Sequence, residues 1–88
     1  MSTLIAEDDG LYRQHVQSLL EQELPEYGPF LVADDGPEAL SLAAEHCQRY
    51  SLLDIQMPTV TGIEVARQVW SERPHARIVF WSHFADEV

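Results

Sequence analysis

Lysine is absent from this sequence. Its fixed positive charges are arginines, at positions 13, 49, 67, 73 and 77, set against 15 Asp and Glu for a formal net charge of -10. Such a balance argues against a direct nucleic-acid interface, because phosphate contacts need clustered Lys and Arg. Cysteine is nearly absent too. Cys47 stands alone, which excludes an intramolecular disulfide, and it reads as a small buried helix residue rather than a reactive thiol. No apolar run approaches the ~18 residues that span a bilayer, and Met1-Ser2-Thr3 carries none of the positive charge that opens a secretory signal. The expected location is the cytoplasm, with no membrane contact.

What is present is globular. Hydrophobic residues at 45% and charged residues at 23% lie near soluble averages, and a chain of this length can bury roughly 60–65% of its unfolded surface around a single core. One domain over 1–88 is therefore expected. Short apolar runs alternate with amphipathic stretches in the order strand, helix, strand, helix, strand, helix, strand, which implies an α/β fold with a parallel sheet and crossover helices. The expected strands are 3–7, 30–33, 50–54 and 78–81. The expected helices are 11–23, with Leu11, Val16, Leu19 and Leu20 on one face; 37–48, with Ala39, Leu40, Ala43 and Ala44; and 62–72, packed through Ile63, Val65, Ala66 and Val69. Pro25, Gly28-Pro29, Gly36-Pro37 and Arg73-Pro74 punctuate them.

Acids close two of the apolar runs. Glu7 and Asp8 follow Thr3-Leu4-Ile5-Ala6, and Asp54 follows Tyr50-Ser51-Leu52-Leu53. If those runs are neighbouring parallel strands, the three carboxylates meet at the carboxyl edge of the sheet, where open α/β folds bind ligands. Like charges so gathered repel unless a cation joins them, so the trio reads as a divalent-metal site serving phosphoryl chemistry. Acids ahead of a helix also complement its dipole, which would account for one or two of Glu7, Asp8 and Asp9, but not for Asp54, which precedes a turn. His15, His46, His75 and His83 lack ligand spacing and read as surface residues, although His83 could flank the site. Trp81 and Phe84 read as core or interface residues.

Four segments together resemble the receiver domains of two-component response regulators: Leu4-Ile5-Ala6-Glu7-Asp8-Asp9, Asp35-Gly36-Pro37-Glu38-Ala39-Leu40, Leu52-Leu53-Asp54-Ile55-Gln56-Met57-Pro58 with Gly62, and Ala76-Arg77-Ile78-Val79-Phe80-Trp81-Ser82. The resemblance runs from Thr3 to Val88 and implies a flavodoxin-like doubly wound sheet of order 2-1-3-4. It implies Asp54 as phosphoacceptor, Glu7 and Asp8 as the acidic pair holding Mg²⁺ with Asp54, and a backbone carbonyl of Gln56 as a further metal ligand. Ser82 would be the hydroxyl that bonds the new phosphoryl group and moves with it, while Asp9 aligns with a variable position. The implied phosphodonor is a sensor histidine kinase or phosphotransfer protein. The Arg73–Val79 stretch and Ser82-His83 are most similar to receivers of LuxR-type regulators.

The sequence also departs from that pattern. Family members carry a fifth strand, a last helix and a lysine beyond the fourth strand, so the domain is expected to be incomplete at its C-terminus. Without a fifth strand, Ile78-Val79-Phe80-Trp81 becomes an apolar edge, prone to homodimer pairing or swapping and poorly stable as a monomer. A phosphorylation-independent dimerisation module is thus the alternative to a phosphoaccepting domain. A hydrolytic phosphatase with an aspartyl nucleophile would place a second Asp two residues after the first. Gln56 stands there, so turnover of an external substrate is not expected.

Overall fold

The computed structural model describes residues 2–82. Strands β1 (Ser2–Ala6), β2 (Phe30–Ala33), β3 (Gln48–Asp54) and β4 (Arg77–Trp81) alternate with helices α1 (Gly10–Glu23), α2 (Gly36–Glu45) and α3 (Gly62–Glu72), and a short 3-10 turn, Pro25–Tyr27, follows α1. Every strand pair is parallel and the sheet order is β2-β1-β3-β4, which is the flavodoxin-like α/β arrangement expected. His83, read above as a residue that could flank the site, and Phe84, read as core or interface, lie outside the described residues.

Chain direction explains which face each helix covers. Right-handed crossovers send α1 over one face as the chain steps from β1 to β2, then return α2 and α3 over the other as it steps through β3 to β4. Alternation along the strands follows. Leu4 and Ala6 of β1, Ala33 of β2 and Leu53 of β3 join Ala39 and Ala43 of α2 and Val65, Ala66 and Val69 of α3 in the main core, closed by Met57. Each helix begins on a side-chain cap of about 1 kcal/mol. Asp9 accepts from Leu11 N and Tyr12 N, Asp35 from Glu38 N, and Thr61 with Glu64 forms a reciprocal capping box.

Several boundaries and burial expectations change. The second helix ends at Glu45 rather than 48, because His46 is extended (φ -128°, ψ 149°) and Gln48 joins β3 opposite Ser2. The buried Gln48 side chain donates to the Leu42 carbonyl at 2.9 Å and accepts from Arg73 Nη2 at 2.8 Å, so leaving the helix strands no polar group. Cys47 is consequently exposed between α2 and β3, not buried in a helix, and its carbonyl receives the Ser2 amide at 3.3 Å. On α1, Leu11 is 82% and Leu19 is 49% exposed, and no residue of that helix is fully buried. Ala44 and Ile63 are exposed as well. A helical period says which residues share a face; it does not say whether another element covers that face.

Candidate functional site

Because β1 and β3 are neighbours in register, with Ala6 opposite Leu53, the residues that follow them end side by side. Glu7 and Asp54 are completely shielded from solvent, and Asp8 is exposed. One carboxylate oxygen from each lies within 4.8 Å of the others. They line an open cleft of ≈ 860 Å³ together with Asp9, Thr61 and the loop Ile55-Gln56-Met57-Pro58. The structure thus brings together Glu7, Asp8, Asp54 and Gln56. Ser82 comes immediately after Trp81, the β4 partner of Asp54, yet it does not line this cleft. Asp9 lines it, but its Oδ1 is committed to capping α1.

The loop after Asp54 is held by two glycines and a tight turn. A Cβ at Gly62 would overlap the Asp54 carbonyl oxygen, and one at Gly36 would overlap the Val60 carbonyl oxygen, so only glycine lets these helix starts approach the loop. Between them Thr59 adopts φ 72°, a region β-branched residues seldom enter, in a turn closed by Val60 N–H to the Pro58 carbonyl at 2.7 Å.

The carboxylates differ in how they are satisfied. Glu7 Oε2 accepts from Asp9 N at 3.0 Å and Oε1 from the Trp81 indole at 2.6 Å. Asp54 Oδ1 accepts from Gln56 N at 3.0 Å, while its Oδ2 is buried with no hydrogen-bond partner. Burial pushes the Asp54 carboxyl up from its ordinary 3.8 to about 6. The Gln56 amide opposes the shift, and the neighbouring Glu7 charge adds to it. A buried oxygen without a donor, beside two more carboxylates, is a local deficit of positive charge. An all-oxygen donor set open to water on one side fits a hard divalent cation such as Mg²⁺, which keeps several waters and takes one or two carboxylates. A second acid group, Asp34, Asp35 and Glu38, also lies close together, but its bonds are explained by the start of α2: Asp35 accepts from Glu38 N and Glu38 from Asp34 N.

Two residues at this edge were not singled out from the sequence. Trp81, read there as core or interface, is half-buried and reaches Glu7 across 74 positions of sequence. Arg13, named there only as one of the arginines, donates to the Glu7 carbonyl at 2.8 Å. The only signal for Trp81 was its place as the last residue of a strand that ends at the acids; nothing in the spacing marked Arg13.

A family model described as the response regulator receiver domain matches residues 3–88. Among curated proteins, the chain is 31% identical over 84 residues to the transcriptional regulatory protein DegU of Brevibacillus brevis, covering 96% of this chain and 35% of that protein. It is 30% identical over 82 residues to a protein-glutamate methylesterase/protein-glutamine glutaminase of Shewanella denitrificans, covering 93% of this chain and 21% of that protein. The chain therefore spans about a third or less of the length of these curated relatives. Among solved structures, the signal receiver domain of NarL from Mycobacterium tuberculosis is 29% identical with a TM-score of 0.84, covering 97% of this chain and 68% of that one. TrrA from Thermotoga maritima, solved in complex with Mg²⁺ and BeF, is 29% identical with a TM-score of 0.74, covering 97% and 72%.

Proposed function

From its membership of the response regulator receiver family, to which this chain belongs, we propose that it accepts a phosphoryl group on Asp54 from the phosphohistidine of a sensor histidine kinase or phosphotransfer protein. One observation carries this reading: a buried Asp54 oxygen without a partner, in a residue grouped with Glu7 and Asp8. An Asp54 carboxylate oxygen attacks phosphorus. The O–P bond forms as the P–N bond of the donor breaks, and the donor imidazole leaves with the bonding pair, giving an acyl phosphate. The buried shell of Glu7 and the Gln56 amide hold Asp54 in one orientation for that in-line displacement. Glu7, Asp8, Asp54 and the Gln56 carbonyl would hold Mg²⁺, which when bound supplies positive charge to the phosphoryl oxygens. Ser82, one residue beyond the β4 partner of Asp54, would meet the new phosphoryl group with its hydroxyl.

No described helix is long and apolar enough to cross a membrane, and we place the exchange with the kinase in the cytoplasm. Transcriptional control, which the name of DegU records for that relative, is proposed only for a longer protein containing this domain. Mg²⁺-dependent labelling by a small acyl-phosphate donor tests the reading, and a folded chain that takes no label at saturating Mg²⁺ would refute it.

Proton and cation compete for Asp54. Its folded pKa is raised, so the stability this group lends is fully present below 3.8 and is lost as pH rises through about 6. The sign reverses for the cation, which needs the ionised form. Mg²⁺ affinity measured by calorimetry should be flat above pH 7 and weaken about tenfold per unit as pH falls below 6. Affinity independent of pH between 5 and 7 would exclude Asp54 as a ligand.

A second reading, a phosphorylation-independent dimerisation module, is favoured by Val79. It is 56% exposed on β4, the edge strand among the described residues. Unpaired backbone on such an edge invites another strand. Sedimentation should then show concentration-dependent dimers that Val79→Lys abolishes. A chain monomeric at all concentrations removes this reading.

A further inference from the structure

The indole of Trp81 does more at this edge than fill space. Its N–H donates to Glu7 Oε1 at 2.6 Å, while the Asp9 amide donates to Glu7 Oε2 at 3.0 Å, so the carboxylate is gripped at both oxygens and its plane is set. Trp81 is itself tied on two sides. Its carbonyl accepts the Ile55 amide at 2.9 Å, and its ring packs edge-on against Tyr12 of α1 with centroids 5.9 Å apart and planes at 79°. Through its backbone and side chain together, this one residue joins the ends of β1, β3 and β4 and the first turn of α1.

We infer that Trp81 is a positioning residue for cation binding: its indole N–H holds the Glu7 carboxylate in the orientation that presents it, with Asp8 and Asp54, to the metal. The inference rests on the proposed Mg²⁺ site. Donors behind a metal ligand fix its orientation and basicity, and losing one costs roughly 10–100-fold in metal affinity. The bond is direct, short and made to a residue with no solvent access, so water cannot replace the donor at low cost. Coupling is reciprocal. A cation on Glu7 must change the electrostatic environment of the indole.

The test separates the N–H from the shape of the ring. Trp81→Phe removes both; replacing Trp81 with β-(3-benzothienyl)alanine removes the N–H alone. Both variants of the 88-residue chain should bind Mg²⁺ roughly 10–100-fold more weakly by calorimetry, with the benzothienyl variant still melting cooperatively in metal-free buffer, at a temperature lowered by the one lost hydrogen bond. Trp70, whose indole instead donates to the Ala76 carbonyl, supplies the control. In Trp70→Phe, Trp81 is the one remaining tryptophan of two, affinity should be unchanged, and emission should shift on Mg²⁺ addition with the calorimetric midpoint. Wild-type affinity in the benzothienyl variant, or emission indifferent to bound Mg²⁺, overturns the positioning role. If the wild type itself binds no Mg²⁺, the metal-site reading falls and this inference falls with it.

Discussion

Asp54→Asn should reduce Mg²⁺-dependent labelling by an acyl-phosphate or phosphoramidate donor to background, while making the folded chain more stable in metal-free buffer at pH 8. The two effects share a cause. On the reading proposed above the carboxylate is the nucleophile, and it is also a buried charge with one oxygen lacking a donor and a pKa raised to about 6. Asparagine keeps an oxygen for the Gln56 amide and brings an NH₂ that can donate towards Glu7 and Asp8. A shift of that size corresponds to at most about 3 kcal/mol regained at pH 8, an advantage that should fade as pH falls towards 4. Undiminished labelling of the variant would move the acceptor elsewhere. Loss of label together with a lower melting temperature would mean that Asp54 is better satisfied than its surroundings indicate.

Gly62→Ala should be severely destabilising. The new Cβ would overlap the Asp54 carbonyl oxygen and lie 2.9 Å from its carbonyl carbon and 3.1 Å from Ile55 Cα. All are backbone atoms in the strand end that carries the site, so no side chain can swing away. Gly62 also donates its amide to the Ile55 carbonyl at 3.0 Å, which fixes α3 against that strand. The expected cost is at least about 3 kcal/mol, beyond ordinary overpacking, with weaker Mg²⁺ binding in whatever fraction remains folded. Gly10→Ala is the matched control. Its Cβ would meet only the flexible Arg13 Nη2 at 3.6 Å, so its melting temperature should equal or exceed that of the wild type. Equal melting temperatures for Gly62→Ala and the wild type would show that the loop yields.

Much of the fold was legible, and for identifiable reasons. The alternation of short apolar runs with helical periods leaves little choice but parallel strands with crossovers, and β2 and the span of α3 lie where the pattern placed them. Boundaries failed where a side chain substituted for helix hydrogen bonding: Gln48 finds partners in Leu42 and Arg73 and so begins a strand. Burial failed on α1 and at Ile63, because amphipathic spacing marks a face without naming its neighbour. At the candidate site, Glu7, Asp8 and Asp54 stood out because acids directly after apolar runs are conspicuous. Asp9 was set aside, and its carboxylate is occupied at the start of α1.

By itself the sequence determined the class of fold, the net charge of -10 and the types of ligand atom available at the ends of its strands, because these depend on composition and on local periodicity alone. Only the tertiary structure decided that an Asp54 oxygen has no partner, that Trp81 grips Glu7, and that Cys47 is exposed. Each of these depends on strand order, register or the direction of a side chain across distances of chain that no local period spans: 74 residues separate Glu7 from Trp81. Hydrogen-bond satisfaction and desolvation belong to the assembled environment. The acids could be seen in advance, but the unsatisfied Asp54 oxygen among them could not.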